Sequence, residues 1–292
     1  MENLTAKVSC FARAYHYENN KVYIFADSTA KALLGADYDK VAESMSQGIG
    51  FFLPDFKGSK EDGLRLIVDK QLSPSVLGRS AYCERMLKNE KQFGCSQYLV
   101  FASGYDTFAI RNENGNLSVF ELDLPDMITD KKARIENAGL KTNAVYVPCS
   151  LAEKEWTDEL IKAGFESEKR AFGSLLGISY YLTKEEFKAL LKALGEIMSE
   201  GSAICFDYPS KDDGKETQTN QALAQGANEQ MKAQYSEDEL VKILEECGFL
   251  IYEHLDHNEM TKQYFADYNN TCKEHKMEAP KGVCYILATK KL

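Results

Sequence analysis

Two apolar runs joined by a short glycine-containing turn constrain the fold of this chain more than any other stretch. The first run covers residues 98–102, and the second covers 117–120 and is followed by Glu121 and Asp123. Apolar runs bounded by turn residues predict buried strands, and the segment between these two predicts a brief helical crossover. In open parallel α/β sheets, ligands bind beyond the carboxyl ends of the strands, where an acid ending the second strand accepts hydrogen bonds from ribose hydroxyls. Gly104 precedes Asp123 by close to the roughly 20 residues expected of such a site.

The glycine pattern of this turn is incomplete. A dinucleotide-binding turn has the pattern G-x-G-x-x-G, whereas this chain has Ala102 at the first position and keeps only Gly104. Gly104 allows the backbone to approach a ligand because no Cβ stands in the way. A parallel strand that turns into a helix without binding any ligand therefore stays open as the alternative interpretation.

Strands and helices alternate from the first apolar run onward, which favours βαβ units and a parallel sheet. Further apolar runs predict strands at 143–147, within 171–181, and at 203–207, 249–253 and 282–289. The last run does not fit the strand–helix alternation, so it predicts an antiparallel partner at the end of the chain. Seven strands with an antiparallel last strand indicate a Rossmann-like α/β sheet of the class I methyltransferase type rather than a nicotinamide dehydrogenase fold.

The domain organisation is predicted from changes in periodicity and polarity. Residues 1–90 have a helical period and predict an N-terminal helical extension, while residues 91–292 predict the sheet-containing core. Residues 209–234 form a polar insertion in this core, typical of a surface lid or a disordered segment. Thr183 and Glu186 predict a capping box at the start of a helix.

Composition argues against several classes of partner. The formal net charge is −10, and the basic residues are dispersed, with Lys131, Lys132 and Arg134 predicted on a helix face, so a nucleic-acid partner is not expected. No apolar run approaches the ~20 residues of a membrane span. The N-terminus lacks a basic region followed by an apolar segment, so we expect a cytoplasmic protein.

The cysteines and histidines do not predict a metal centre. The eight cysteines contain no C-x-x-C pair and mostly lie in apolar runs, so we expect reduced thiols in the core. The four histidines show no three-ligand pattern, so no metal site is expected.

Four short motifs, taken in their order along the chain, resemble those of a known enzyme family. Residues 11–14 with 25–30 are similar to its helical opening, and residues 78–80 are similar to a helix that supplies an arginine. Residues 102–107 resemble its G-x-G-x-D-T-R turn, and residues 121–125 resemble its E-x-D-x-P segment. The family is that of the leucine carboxyl methyltransferases, with its bacterial polyketide O-methyltransferase members, and the resemblance covers most of the chain.

This resemblance implies S-adenosylmethionine as the cofactor. It implies that Asp123 accepts hydrogen bonds from the ribose hydroxyls and that Arg79 binds the cofactor carboxylate. The implied cofactor residues are Arg79, Ala102, Ser103, Gly104, Asp106, Glu121, Leu122, Asp123, Ser150, Leu151 and Leu176. Arg13, Tyr180 and Tyr181 are candidates for binding the methyl acceptor, and no catalytic residue is assigned.

Several of these residues also have a structural interpretation. We expect Asp106 to order its own turn and Arg13 to belong to the N-terminal cap, in preference to contact with a ligand. Glu121 could either support Asp123 or be an exposed strand acid. Structural alternatives also stay open for Asp123 as a helix cap, Arg79 as a surface charge, and Tyr180 and Tyr181 as core residues.

Four departures from the family pattern separate two hypotheses. Ala102, Phe108, Ser150 and Leu176 stand where the family has a glycine, an arginine and two acids. The favoured hypothesis is an O-methyltransferase that acts on a carboxylate or hydroxyl of a small molecule; a carboxylate is ionised at neutral pH and needs no general base. The alternative is a catalytically silent protein of the same fold that works as a ligand-binding or interaction module.

Overall fold

A seven-stranded mixed sheet forms the centre of the protein. The computed structural model describes residues 3–112, 115–211 and 231–291. The strands are β1 (Gln97–Phe101), β2 (Ser118–Asp123), β3 (Ala144–Pro148), β4 (Ala171–Leu175), β5 (Ala203–Pro209), β6 (Phe249–Leu255) and β7 (Val283–Lys290). Their order across the sheet is β3-β2-β1-β4-β5-β7-β6.

The direction of the strands confirms the predicted class I methyltransferase outline. Strands β1 to β5 pair in parallel, and β7 inserts antiparallel between β5 and β6. The chain order reverses at β1, which lies between β2 and β4. Ligands bind at such switch points, in the crevice outside the carboxyl ends of the strands.

Helices precede the sheet. They are α1 (Leu4–Asn19), α2 (Ala30–Leu34), α3 (Asp37–Gln47), α4 (Ile49–Phe52), α5 (Lys60–Ile67) and α6 (Ser73–Gln92), with a π-helical turn (Val68–Leu72) between the last two. Two local signals explain where α2 ends and α6 begins. Gly35 ends α2 at a positive φ of 55°, and Pro74, which has no N–H to donate, lies in the first turn of α6, directly after the π-helical turn.

The remaining helices lie within or after the sheet sequence. They are α7 (Phe108–Arg111), α8 (Pro125–Asn137), α9 (Trp156–Lys162), α10 (Lys184–Ile197), α11 (Glu237–Glu246), α12 (His257–Met260) and α13 (Ala266–Thr271), with a π-helical turn (Thr261–Phe265) and a 3₁₀ turn (Lys273–His275). The predicted capping box is confirmed, since Thr183 Oγ1 accepts from the Glu186 N–H and the Glu186 carboxylate accepts from the Thr183 N–H. Most of the predicted insertion, residues 212–230, lies outside the described residues.

The sheet has a separate apolar core on each face. On one face, α9, α10 and α11 pack on the sheet, with Leu190 and Phe206 among the buried residues. On the other face, α6 and the π-helical turn Thr261–Phe265 pack on the sheet around Tyr82 and Tyr98. A third cluster joins the N-terminal helices to the turn after β1 and to α8. Helices α1, α2, α3 and α5 therefore pack beside the turn that follows β1 and beside α8, which follows β2.

The eight cysteines are all free, as expected of reduced thiols. Six are buried, and Cys149 and Cys272 are partly buried. In the part of the chain that the structure describes, no helix combines the length and apolar character needed to cross a membrane. Within the same part, no group of three or more His, Cys, Asp or Glu side chains is placed to hold a metal ion.

His16 is a buried titratable group of the N-terminal helices. Its Nε2 accepts a hydrogen bond from the Ile24 N–H at 3.0 Å, which places the proton of the neutral ring on Nδ1. Burial, assisted by the positive charge of Arg65, lowers the pKa of His16 from 6.5 to about 3. The folded protein therefore keeps this side chain neutral at pH values where the unfolded chain protonates it.

We expect the free energy of unfolding to decrease as the pH falls below the ordinary histidine pKa. The unfolded chain then binds a proton at His16 and the folded chain does not, so this residue alone should cost about 2 kcal/mol at about pH 5. Urea unfolding at about pH 7.5 and about pH 5 would measure the loss. His16→Gln should lack this share of the pH dependence, and an identical pH dependence in both proteins would contradict the assignment.

Candidate active site at the carboxyl ends of the strands

A network of hydrogen bonds joins the end of β2 to the turn after β1. The Gly104 N–H donates to Asp123 Oδ2 at 2.7 Å, and the Ser103 N–H donates to the Leu122 carbonyl at 3.1 Å. Asp123 Oδ1 accepts from the Leu124 N–H at 2.7 Å. A carboxylate has about four acceptor positions, so these two bonds leave Asp123 able to accept two more. Burial raises the pKa of Asp123, and the two backbone N–H donors oppose this shift.

Two residues of the turn, separated by Ser103, have backbone angles in the left-handed region. Ala102 and Gly104 both have φ near 48°, and Ala102 is the one non-glycine residue with positive φ in the described part of the chain. This conformation costs a residue with a Cβ roughly 1–2 kcal/mol. A Cβ added at Gly104 would lie 3.3 Å from the Ala6 Cβ. Helix α1 therefore covers the turn closely.

Asp106 orders the end of this turn. Its Oδ1 accepts from the Phe108 N–H at 2.8 Å, and its own N–H donates to the Ser103 carbonyl at 2.8 Å. The structural role expected for Asp106 is thus present, and contact of this residue with a ligand stays a prediction. The Ser103 hydroxyl is buried and makes no hydrogen bond with any described residue.

A buried carboxylate, Asp27, ties the N-terminal helices to the same turn. Its Oδ2 accepts from Arg13 Nε at 2.8 Å and from Thr107 Oγ1 at 2.7 Å, and Arg13 Nη2 also donates to the Tyr105 carbonyl at 2.6 Å. Burial favours a higher pKa for Asp27, but Arg13, Arg111 and the Thr107 hydroxyl outweigh it and lower the pKa. The structure therefore places Arg13 inside the cap, and its contact with an acceptor stays a prediction.

Arg111 is a member of this network that the sequence did not identify. It lies on α7, three residues after Phe108, with its Nε 3.6 Å from Asp27 Oδ1 and its guanidinium hydrogen-bonded to Glu84. The signal that could have found it is the helical spacing, because residues three apart lie on neighbouring positions of a helix surface. The chain thus lacks the family's arginine at position 108 but has an arginine, Arg111, about one helical turn later.

Glu121 and Lys131 form a buried ion pair behind Asp123. Lys131 Nζ lies 2.5 Å from Glu121 Oε2, and both residues are 1% exposed. The interpretation of Glu121 as an exposed strand acid is therefore wrong, and Lys131 does not belong to a solvent-facing surface of α8. Burial raises the pKa of Glu121, and the Lys131 ammonium opposes this shift.

A second group of residues meets at the ends of β4 and β5. Arg79 of α6 packs on Gly177, where φ is 68° and an added Cβ would lie 2.6 Å from Arg79 Nη1. Arg79 Nη1 is 3.7 Å from Asp207 Oδ2, too long for a hydrogen bond. The guanidinium makes no hydrogen bond with any residue that the structure describes, so its five N–H donors are available to a ligand.

Asp207, near the end of β5, holds this second group together. Its Oδ1 accepts from the Gly177 N–H at 2.6 Å, its Oδ2 accepts from the Tyr180 hydroxyl at 3.1 Å, and its carbonyl accepts from Ser179 Oγ at 2.6 Å. Its exposed fraction is 0%. Asp207 was not among the residues predicted for the site, although an acid directly after the apolar residues of β5 is a sequence signal that could have found it.

The other predicted residues lie around these two groups. Ser150 and Leu151 follow β3, where the Cys149 N–H donates to the Asp123 carbonyl at 2.8 Å. Leu176 and Tyr180 pack against the core on the α6 face, and the rings of Tyr180 and Tyr181 lie 6.2 Å apart. Leu124 was not among the predicted site residues. It is an apolar residue beside Asp123 and is 55% exposed.

Comparison with known proteins identifies the family. A family model described as "Leucine carboxyl methyltransferase" matches residues 6–195. The chain belongs to the leucine carboxyl methyltransferase family. A Bacillus subtilis (strain 168) protein is named "Putative S-adenosyl-L-methionine-dependent methyltransferase YktD". It is 33% identical over an alignment of 304 positions, which covers 99% of this chain and 98% of that protein. A Frankia alni protein with the same type of name is 31% identical over 133 residues, covering 44% of this chain and 47% of that protein.

Solved structures share the fold at low sequence identity. A DUF574 family protein from Streptomyces avermitilis has a TM-score of 0.61 and 14% identity, with 98% of this chain and 97% of that chain covered. A protein from Thermobifida fusca described as a "putative methyltransferase" has a TM-score of 0.59 and 15% identity, with 98% and 94% covered. The family and the Bacillus subtilis relative establish an S-adenosylmethionine-dependent methyltransferase, and the solved structures show the class I fold.

The left-handed alanine gives a stability prediction. Ala102→Gly should increase the free energy of unfolding by about 0.5–1 kcal/mol, because removing the Cβ relieves strain by more than glycine gains in unfolded-state freedom. Urea unfolding would measure the change. Gly104→Ala is the matched control and should decrease stability, since it places a Cβ at the same φ and near Ala6. A destabilised Ala102→Gly protein would contradict the interpretation.

Proposed function

We propose that the protein transfers the methyl group of S-adenosylmethionine to an oxygen atom, in a carboxylate or hydroxyl, of a small-molecule acceptor. The proposal rests on the observation that two separate groups of residues lie at the carboxyl ends of the strands. A carboxylate with free acceptor positions, Asp123, lies at the end of β2, and a guanidinium with free donors, Arg79, lies beside the end of β4. The cofactor has the matching groups, ribose hydroxyls at one end and a carboxylate at the other.

The residues of the first group would hold the nucleoside part of the cofactor. Asp123 would accept hydrogen bonds from the ribose hydroxyls, while the Gly104 N–H holds its Oδ2 atom in place. The Ser103 hydroxyl, which has no hydrogen-bond partner among the described residues, is a further donor at this turn. The exposed Leu124 side chain, together with Leu151 after β3, would contact the adenine ring.

The residues of the second group would hold the amino-acid part. Arg79 can form the paired N–H bonds that carboxylates prefer from arginine, and Tyr180 and Tyr181 would border the acceptor. When bound, S-adenosylmethionine supplies an electrophilic methyl group on its sulfonium. Orientation by the protein supplies the remaining acceleration when the acceptor is an ionised carboxylate, which needs no general base.

The position of α1 supports a small acceptor. Arg13 and Asp27 bind this helix to the turn after β1, and Ala6 lies where a Cβ added at Gly104 would meet it at 3.3 Å. Because α1 packs over the turn after β1, the space beside this turn favours a compact acceptor over the terminus of a protein chain. The name of the matching family supports a carboxylate as the acceptor group, and the hydroxyl stays the second candidate.

Methyl transfer from cofactor carrying a radiolabelled methyl group tests this proposal. The purified protein, incubated with a small-molecule cell extract, should label compounds that release volatile methanol in mild alkali, as methyl esters do, or that carry alkali-stable label on oxygen. Asp123→Ala should lower the transfer about 10- to 100-fold at limiting cofactor, because it removes hydrogen bonds to a charged acceptor. Label on nitrogen or sulfur, or no transfer by a protein that binds S-adenosylhomocysteine, would contradict the proposal.

A further inference from the structure

We propose that Asp207 is a positioning residue that holds Arg79 and the Gly177 turn in the geometry required to bind the amino-acid end of the cofactor. This inference rests on the proposed function, and it assigns a role to a residue on β5 that no sequence motif marked. Its basis is the set of contacts that converge on one buried carboxylate from the turn after β4 and from α6. The side chain of Asp207 has 0% exposure, so it acts through its neighbours rather than by touching the ligand.

The contacts of Asp207 account for its charge and for the shape of the turn. A buried carboxylate is costly unless it is hydrogen-bonded and faces a cation. Asp207 receives bonds from the Gly177 N–H and the Tyr180 hydroxyl, and the Arg79 guanidinium is the cation nearby, at 3.7 Å. The same carboxylate therefore fixes the turn after β4 and attracts Arg79 towards it. Leu176, the residue directly before Gly177, is uncharged and therefore cannot attract the Arg79 guanidinium.

The state of Arg79 differs from that of other arginines at this edge. Arg13 and Arg111 use their guanidinium donors on carboxylates and carbonyls of the protein. Arg79 is held instead by packing on Gly177 and by the charge of Asp207, without a hydrogen bond to a described residue. Its side chain is 19% exposed. An arginine oriented by charge and shape, with its N–H groups unused, is ready to bind an incoming carboxylate.

Two ligands separate this role from a purely structural one. S-adenosylhomocysteine contains adenosine and the amino-acid end, whereas 5′-methylthioadenosine contains the same adenosine and a thioether without the amino acid. The dissociation constants of both, measured by calorimetry, give a ratio that reports only on recognition of the amino-acid end. Thermal unfolding of each variant accompanies the titrations as a check on folding.

We expect selective losses of affinity. Asp207→Asn keeps the size of the side chain but removes its charge, and should weaken S-adenosylhomocysteine about tenfold while changing 5′-methylthioadenosine less than about threefold. Arg79→Met should cause a similar or larger selective loss. Since Asp207 acts through Arg79, the double variant should lose little more than Arg79→Met alone.

Two further variants protect the test against a folding defect. Gly177→Ala leaves Asp207 intact but places a Cβ 2.6 Å from Arg79 Nη1, so it should reproduce the selective loss. Tyr285→Phe is the matched control. Tyr285 lies opposite Asp207 in the β5–β7 register, and its buried hydroxyl makes no hydrogen bond with the described residues. This variant should leave the ratio of the two dissociation constants unchanged.

The outcomes distinguish this inference from the proposed function. Equal weakening of both ligands in Asp207→Asn, or fully additive losses in the double variant, would overturn the positioning role while leaving the cofactor assignment in place. Equal affinity of the wild-type protein for the two ligands would remove the role of Arg79 and with it that of Asp207. Failure of the wild-type protein to bind either ligand would overturn both the inference and the proposed function.

Discussion

The hydrogen bond from the Gly104 N–H to the Asp123 carboxylate is the contact on which the rest of the site depends. Parallel pairing of β1 and β2 brings the two strand ends together, and this bond fixes the turn that leaves β1 against the acid that ends β2. The turn can take this path only with a positive φ at Gly104 and at Ala102. The chain therefore accepts backbone strain at Ala102 to keep an acid and a backbone N–H side by side at the sheet edge.

Two buried carboxylates stabilise the flanks of this arrangement in similar ways. Asp27 binds Arg13 and Thr107 and thereby fixes the N-terminal helices to the turn after β1. Asp207 binds the turn after β4 and faces Arg79. The burial of the Asp27 charge is compensated by hydrogen bonds from Arg13 and Thr107, and that of the Asp207 charge by hydrogen bonds from the turn after β4 and by the nearby Arg79 cation. The difference lies in the arginines, because the Arg13 guanidinium donates to the Asp27 carboxylate and the Tyr105 carbonyl, whereas the Arg79 guanidinium makes no hydrogen bond with a described residue.

Much of the fold could be predicted from the sequence because its signals are local. The apolar runs, the terminal strand that broke the alternation, and the capping box at Thr183 each concern a few adjacent residues, and the structure confirms them. The helices between His257 and Thr271 were not predicted, since they are short and their apolar residues are few. The burial of Lys131 was not predicted either, because a lysine in a polar helix indicates a solvent-facing position until its partner Glu121 is known.

The site could be predicted only in part, because its remaining contacts join distant segments. Asp207 meets Arg79 across more than a hundred residues of sequence, and Arg111 meets Asp27 across more than eighty. The role of Asp123 in binding the cofactor is tested most directly by a calorimetric titration of S-adenosylhomocysteine into the wild-type protein and into Asp123→Asn. We expect a dissociation constant near the micromolar range, about −8 kcal/mol, and a loss of affinity of about tenfold or more in the variant. No binding at millimolar ligand, or equal affinity in both proteins, would contradict this role.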